Sequence, residues 1–156
     1  MVVVGAGPAG SVAAHYLAGK GHSALLLDRQ QFPRHKVCGD GLNHDAIRFL
    51  KKVNSYEEVK SKGHCVKMAR SYSTGGFTLE IPGPFITLQR KRLDALLAKR
   101  AVMAGVTFCK GTVLGFSGMH GGIREVFVKE LGQSLRARFV ILSTGAKVGL
   151  AKALKL

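Results

Sequence analysis

Three glycines near the start of the chain have the spacing of a phosphate-binding turn. They lie in the segment Gly5–Gly10, which reads GAGPAG and separates an apolar run from a helix-like stretch. Gly5 would permit a tight turn, Gly7 would let a diphosphate approach the backbone, and Gly10 would let the following helix lie close to its sheet. Because the N–H groups and dipole at the start of a helix favour negative charge, the segment predicts a site for the diphosphate of a dinucleotide.

An acid follows at the position that such a site requires. Asp28 lies 18 residues after Gly10 and ends the next apolar run. A carboxylate there can accept hydrogen bonds from both hydroxyls of an adenosine ribose, and it would repel a 2′-phosphate. NADP is therefore disfavoured at this site, whereas FAD and NAD both remain open. The competing interpretation is a glycine-rich turn that holds no ligand.

The apolar pattern around these residues predicts a strand, a helix and a second strand. Val2–Val4 is β-branched and wholly apolar, as a strand buried on both faces should be. Pro8 falls at a first helical position, where its fixed φ angle is favourable. Apolar residues then recur at helical spacing as far as Leu17, and Ser23–Leu27 returns as a strand. This βαβ unit must hold the glycine turn and Asp28.

The rest of the chain predicts further elements of an α/β fold. Helices are expected at about 42–52 and 93–104, and short buried strands at 106–109 and 139–142. Turn residues separate β-like runs at 65–73, 77–81 and 85–89, with turns at 74–76 and 82–84. Three more runs, at 112–117, 123–129 and 134–138, predict an antiparallel meander. We therefore expect a parallel sheet with a helix on one face and the meander on the other, plus the start of a second β layer.

The chain is strongly basic, with 24 Lys and Arg residues against 9 Asp and Glu and a net charge of +15. Such an excess can indicate nucleic-acid or anionic-membrane binding. The basic residues are scattered, however, and are not interleaved with aromatic residues as a base-stacking surface requires. We therefore expect a solvated basic surface and no specific nucleic acid, with a basic nucleic-acid-binding protein as the alternative that rests on charge alone.

The cysteines and the hydropathy pattern narrow the class of protein further. Cys38, Cys65 and Cys109 are odd in number and widely spaced, so they indicate neither a zinc site nor a disulfide framework. Free thiols suit a reducing cytoplasm. Apolar runs are only a few residues long, far below a membrane span. We expect a cytoplasmic protein, with peripheral membrane association as the alternative.

Two later segments carry a resemblance to a known family. Phe32–Leu42 reads FPRHKVCGDGL, and Arg90–Leu97 reads RKRLDALL. Together with the opening turn, they resemble the geranylgeranyl reductase family of flavoproteins, a branch of the p-hydroxybenzoate hydroxylase-like group. KVCGDGL is the more specific part of the resemblance, which covers nearly the whole chain. One departure is Thr144, which stands where the group usually has an acid.

The resemblance implies an FAD-binding domain of Rossmann-like fold with the cofactor extended along it. The diphosphate would lie over Gly7–Gly10, which includes Pro8 and Ala9, and the ribose would lie on Asp28. Arg29 would lie beside the adenosine, and Val113 would offer backbone contacts to the adenine.

The same resemblance implies contacts toward the flavin. Cys38 and Gly39 would lie near the isoalloxazine ring, and Arg90 would reach the diphosphate or ribityl region. The alternatives are that Cys38 is a small hydrophobic residue beside a turn and that Arg90 is a solvated residue at a helix start. No catalytic residue and no metal ligand is assigned.

The implied activity is reduction of isoprenoid carbon–carbon double bonds by reduced flavin, with NAD(P)H as electron donor. The substrate would be an isoprenoid or another hydrophobic small molecule. An FAD-dependent monooxygenase or halogenase of the same group and a non-catalytic FAD- or dinucleotide-binding fragment are the alternatives. Because the family continues further, we expect residues 1–156 to form an incomplete FAD-binding domain with little activity alone. Residues 64–89 would begin a substrate-side β layer.

Overall fold

A computed structural model describes residues 1–146 and 149–153 and shows a mixed α/β architecture. Its helices are α1 (Pro8–Gly19), α2 (His44–Lys52), α3 (Tyr56–Lys62), α4 (Arg90–Met103) and α5 (Gly149–Ala153). Its strands are β1 (Val2–Val4), β2 (Leu25–Asp28), β3 (Gly41–Leu42), β4 (His64–Tyr72), β5 (Thr78–Thr87), β6 (Thr107–Lys110), β7 (Val113–His120), β8 (Ile123–Val128), β9 (Ser134–Ala137) and β10 (Val140–Leu142). A 3₁₀ turn at Lys129–Leu131 connects β8 to β9.

Four short strands form a parallel sheet in the order β10-β1-β2-β6. β1 is central, which explains why all three of its valines are buried. After β1 the chain adds β2 and β6 on one side of that strand, and it then returns to add β10 on the other side. The order of the strands therefore switches between β1 and β10. The crevice at the carboxyl ends of these two strands is where open α/β sheets bind ligands.

Alternate side chains of the parallel sheet face two different cores. Val3 and Leu26 pack with small residues of α1 and α4, among them Ala14 and Ala101. On the other face lies a second cluster, which joins the sheet to the antiparallel meander β7-β8-β9 and is formed by Val2, Val4, Leu27, Val113, Val126, Val128 and Ala137. The predicted arrangement, helix on one face and meander on the other, is therefore confirmed.

The contacts divide the chain into two units, one of residues 1–34 and 94–156 and one of residues 35–93. The first contains the parallel sheet and the meander. The second contains α2, α3 and an antiparallel sheet in the order β3-β5-β4. The strands expected to begin a substrate-side layer belong to this second unit, and that role stays a prediction.

One predicted turn in the second unit is wrong. Pro82-Gly83-Pro84 lies inside the continuous strand β5, with Pro82 opposite Met68 of β4. The register shifts between Val66 and Met68, and this irregularity accommodates the segment. Proline has no N–H to donate to a neighbouring strand. On the β3 side of β5 this has no cost, because β3 pairs only with Ile86 and Thr87.

Helix α3 has no counterpart among the predicted elements. It has seven residues, of which only Val59 is buried, and its sequence YEEVKSK has too few apolar residues for a helical repeat. Two acids in its first turn and two lysines in its last turn interact favourably with the helix dipole and so stabilise the helix. The helix is thus supported by charge placement that a search for apolar periodicity does not detect.

Candidate dinucleotide-binding site

The glycine turn follows β1 directly and lies against the end of β10. Gly5 has a φ angle of +98°, a conformation that L side chains rarely adopt. A Cβ atom added there would overlap the backbone carbonyl of Ser143, whose own N–H donates to the Val4 carbonyl at 2.8 Å. Gly5 therefore makes the tight turn that its position predicts, and it lets the turn approach the neighbouring strand closely.

Helix α1 begins immediately after this turn and lies close to it. A Cβ atom at Gly10 would overlap the carbonyl oxygen of Gly5, so only glycine fits there. Pro8 occupies the first turn, as predicted, and Ala9 is exposed. The buried hydroxyl of Ser11 donates to the Ala6 carbonyl at 3.1 Å and fastens the helix to the turn.

The start of α1 has the features of an anion-binding helix terminus. Gly7 is the N-cap residue and provides no side-chain cap, and the first turn contains no acidic residue. A helix terminus without a side-chain cap leaves its first N–H groups to water or to a ligand. Phosphate oxygens are suitable acceptors for such groups, so this segment fits the diphosphate of FAD.

Asp28 ends β2 and points its carboxylate at the glycine turn. It is 8% exposed, and its Oδ2 accepts the Ala6 N–H at 2.9 Å. Its Oδ1 accepts the Gln30 N–H at 3.0 Å, and Arg34 Nη2 lies 3.4 Å from Oδ2. Since a carboxylate can accept about four hydrogen bonds, these three donors leave about one position for a ribose hydroxyl.

Arg34 and Asp94 complete a buried charged cluster that the sequence analysis did not assign. Arg34 Nη1 lies 3.3 Å from Asp94 Oδ2, so a single guanidinium lies between two carboxylates. The side chains of Arg34 and Asp28 are each 9% exposed, and that of Asp94 is fully buried. Phe32 covers the cation, with its ring centroid 5.0 Å from Arg34 Cζ. We name Asp28, Arg34 and Asp94 the acid–arginine cluster.

A signal for this cluster is present in the sequence. Two segments carry the family resemblance, and Arg34 lies in the first of them and Asp94 in the second. Charged residues are almost never fully buried unless they are paired. The sequence contains both partners, but it does not show that they meet.

The remaining adenosine-side residues have contrasting surroundings. Arg29 is exposed, directly after Asp28. Val113 is buried, and its side chain packs in the core beneath the meander, so only its backbone could serve a ligand. Beside it, Glu130 accepts the Thr112 N–H at 2.6 Å and the Thr112 hydroxyl at 2.8 Å, and these bonds lower the pKa of Glu130.

In the second unit the structure brings Cys38 and Arg90 together. The side chain of Arg90 donates a hydrogen bond to Cys38, and with the Asp40 backbone it lowers the pKa of that exposed thiol. Asp40 holds this arrangement, because its Oδ1 accepts the Arg90 N–H at 2.9 Å and its carbonyl accepts the Leu88 N–H at 3.0 Å. Gly39 is exposed, and a Cβ atom added there would meet nothing within 4 Å.

The predicted flavin-side residues thus form one local group. The resemblance assigned Cys38 to the isoalloxazine ring and Arg90 to the diphosphate or ribityl region, and here the two side chains are hydrogen-bonded. Whether either contacts a cofactor stays a prediction, as it does for each of the other site residues.

A cavity of about 500 Å³ lies elsewhere in the first unit, at the end of the sheet where β1, β2 and β10 begin. Met1, His22, Arg136 and Phe139 are among its lining residues. It includes neither the glycine turn nor Asp28. We assign the candidate site to the opposite end of the sheet, because the tight turn at Gly5, the helix start and the buried acid converge there.

Within residues 1–146 and 149–153, no group of three or more His, Cys, Asp or Glu residues could hold a metal ion. The three cysteines are free. In the same described part of the chain, we find no helix whose length and apolar character would carry it across a membrane.

The fold and the glycine turn define a class of protein, the dinucleotide-binding α/β flavoproteins, and comparison with known proteins agrees. A family model described as an FAD binding domain matches residues 1–156. The chain therefore belongs to the FAD-binding domain family, within flavin-dependent enzymes that include oxidoreductases and halogenases.

Three similar proteins illustrate the range of that family. The chain is 32% identical to the menaquinone reductase of Mycolicibacterium smegmatis, over 99% of this chain and 39% of that protein. A geranylgeranyl bacteriochlorophyll reductase-like protein from Thermoplasma acidophilum superposes with a TM-score of 0.85 and 25% identity, over 99% of this chain and 41% of that one. A flavin-dependent brominase superposes with a TM-score of 0.84 and 23% identity, over 97% and 39%.

These matches confirm the predicted family and the predicted cofactor class. A geranylgeranyl reductase-like protein is among the structural neighbours, as the motifs indicated. The chain spans about two fifths of the length of the curated relatives that it matches over nearly its whole length.

Proposed function

We propose that this chain is the FAD-binding part of an oxidoreductase that reduces isoprenoid carbon–carbon double bonds, with NAD(P)H reducing the flavin. The observation that carries the proposal is the buried carboxylate of Asp28, fixed beside an uncapped helix start at the end of a parallel sheet. This arrangement supports FAD binding through its adenosine diphosphate half. The KVCGDGL segment supports the reductase branch.

FAD, when bound, would supply the hydride chemistry, and the protein would supply binding and orientation. The start of α1 would hold the diphosphate, Asp28 would accept a ribose hydroxyl, and Arg29 would lie beside the adenosine. Cys38 and Gly39 would contact the flavin, and the guanidinium of Arg90 suits a phosphate oxygen or a ribityl hydroxyl. Val113 would contribute backbone groups to the adenine.

An isoprenoid or another hydrophobic small molecule is the proposed substrate. Strands β4 and β5 and the turn between them expose large apolar side chains, and this apolar surface supports a substrate-side layer: Met68, Tyr72, Phe77, Leu79 and Ile81. Peripheral contact with a membrane would suit such a substrate. Specific nucleic-acid binding is not part of the proposal.

The second candidate function is that of a flavin-dependent halogenase or monooxygenase of the same group. It is favoured by one observation, the 30% identity, over 71% of this chain, to a flavin-dependent halogenase of Armillaria mellea. A non-catalytic FAD-binding module is the third candidate, since the glycine turn and Asp28 support cofactor binding and no catalytic residue is assigned.

FAD titration followed by flavin fluorescence tests the binding proposal. Gly7→Val should place a side chain where the diphosphate approaches, and Asp28→Ala should remove the ribose acceptor. We expect each to weaken FAD binding at least tenfold, since hydrogen bonds to charged groups are worth about 1.5–3 kcal/mol. Asp45→Ala, which removes an exposed acid of α2, is the control. Unchanged FAD affinity in both site variants would contradict the proposed placement.

Activity of the FAD-loaded enzyme, measured on the longer protein of which this chain is proposed to be the FAD-binding part, separates the candidate enzymes. The reductase proposal predicts that NADH or NADPH bleaches the flavin absorbance without oxygen and that an isoprenoid alkene restores it. A halogenase or monooxygenase would restore it only with oxygen. In a binding module, neither NADH nor NADPH would bleach the flavin absorbance.

A further inference from the structure

Asp28 does not face the glycine turn alone, because Arg34 lies between it and Asp94. The guanidinium approaches Asp28 Oδ2 with Nη2 at 3.4 Å and Asp94 Oδ2 with Nη1 at 3.3 Å. Both contacts are longer than usual hydrogen bonds, but the low exposure of all three side chains strengthens the electrostatic attraction. One cation thus connects the end of β2 to the side of α4.

The carboxylate of Asp28 is shared between the backbone and this cation. Oδ2 accepts both the Ala6 N–H and Arg34, whereas Oδ1 accepts only the Gln30 N–H among the bonds found in the described residues. Oδ1 is therefore the oxygen with spare acceptor capacity. Arg34 restrains the rotation of the carboxylate and keeps that oxygen available.

The surroundings of Arg34 indicate that its guanidinium is fixed in the position that makes these two contacts. Its Nε is buried and has no hydrogen-bond partner among the residues that the structure describes. A buried donor without a partner is unfavourable, and such groups in folded proteins call for an explanation. Phe32 fixes the guanidinium from its face and itself packs edge-on against Phe108, with ring centroids 5.7 Å apart.

We propose that Arg34 is a positioning residue of the cofactor site, which tethers the Asp28 carboxylate to Asp94 and so orients it toward the ribose hydroxyls of the cofactor. The proposal rests on the proposed function, in which Asp28 binds the adenosine ribose. Arg34 itself would not contact the cofactor. Its effect should therefore appear only with ligands that carry ribose hydroxyls.

The test compares ADP with 2′,3′-dideoxy-ADP by calorimetric titration of the 156-residue protein. The wild-type protein should bind ADP about tenfold more tightly or better, because one ligand can donate to Asp28 and the other cannot. In Arg34→Gln this ratio should fall toward one, while the affinity for 2′,3′-dideoxy-ADP stays within about twofold. Arg48→Gln, which breaks the exposed Arg48–Asp45 pair, is the matched control and should keep the wild-type ratio.

Thermal unfolding separates positioning from general support of the fold. A lower melting temperature with an unchanged ligand ratio in Arg34→Gln would overturn the proposal. If that variant does not fold, Arg34→Lys replaces it, because an ammonium keeps the charge but lacks the two-armed geometry. The ratio should then fall at least threefold, and a wild-type ratio would overturn the proposal.

The outcome for the unmodified protein distinguishes this inference from the proposed function. If the wild-type protein binds neither FAD nor ADP, or binds both ADP forms equally, the assignment of Asp28 fails, and the role of Arg34 fails with it. If the wild-type protein discriminates between them and Arg34→Gln does so equally, only the role of Arg34 is refuted.

Discussion

The two units of the chain present their candidate site residues in opposite ways. In residues 1–34 and 94–156, the side chains of Asp28, Arg34 and Asp94 are each at most 9% exposed, and the glycine turn leaves no room for a side chain at Gly5 or Gly10. In residues 35–93, Cys38 and Gly39 are exposed, and Gly39 has open space around it.

This difference indicates that the two groups of candidate site residues differ in how far they are preorganised. The side proposed to bind the adenosine diphosphate is preorganised by buried polar contacts, so a ligand there would meet groups that are already fixed and need no ordering. The Cys38–Arg90 group is held by hydrogen bonds at the surface and can still adapt. Changes to the first group should therefore lower the free energy of unfolding, whereas changes to the second should alter the reactivity of Cys38.

Two glycine variants compare the regions most directly. Gly10→Ala places a methyl group against the Gly5 carbonyl and should cost about 4 kcal/mol or more, because neither backbone can move freely. Gly39→Ala meets nothing and should change the free energy of unfolding by less than about 0.5 kcal/mol. Urea denaturation measures both values. Equal stability of the two variants would show that the glycine turn is not tightly packed.

Two aspartate variants compare a buried with an exposed ion pair. Asp94→Ala leaves Arg34 without one of its carboxylates inside the protein and should cost about 3 kcal/mol. Asp45→Ala breaks the pair with Arg48, whose side chains are both 69% exposed, and should cost less than about 1 kcal/mol. Thermal unfolding at matched salt provides the measurement. A mild effect at Asp94 would mean that the acid–arginine cluster does not support the fold.

A thiol variant probes the surface group and should leave the fold intact. Because Arg90 lowers the pKa of Cys38, the thiolate should persist at pH values below the ordinary titration range of cysteine. Arg90→Met should raise that pKa, shift the alkylation profile to higher pH and slow alkylation of Cys38 several-fold near neutral pH. Iodoacetamide labelling with mass spectrometry of the Cys38 peptide measures the rate. Arg92→Met, at an exposed position of the same helix, is the control, and an equal shift there would refute the specific pair.

The parallel-sheet unit could be predicted from local patterns, since each decisive feature is contained in a short segment. Val2–Val4 predicts a buried strand, Gly5 predicts the turn, and Asp28 ends the next strand. The second unit was harder. Pro82-Gly83-Pro84 reads locally as a turn, yet pairing with β4 keeps it extended.

The amino-acid order alone predicted the dinucleotide-binding turn and its acid, because these depend on residue types at fixed short spacing. FAD rather than NAD was indicated by the family resemblance of the later segments. The partnership of Arg34 with Asp28 and Asp94, and that of Cys38 with Arg90, depends on which distant segments pack together. Such pairs follow from burial of the apolar faces around them, which brings charged groups together that no short pattern relates. Folding therefore decided how the carboxylate of Asp28 is held, although its position in the chain had already indicated what it could bind.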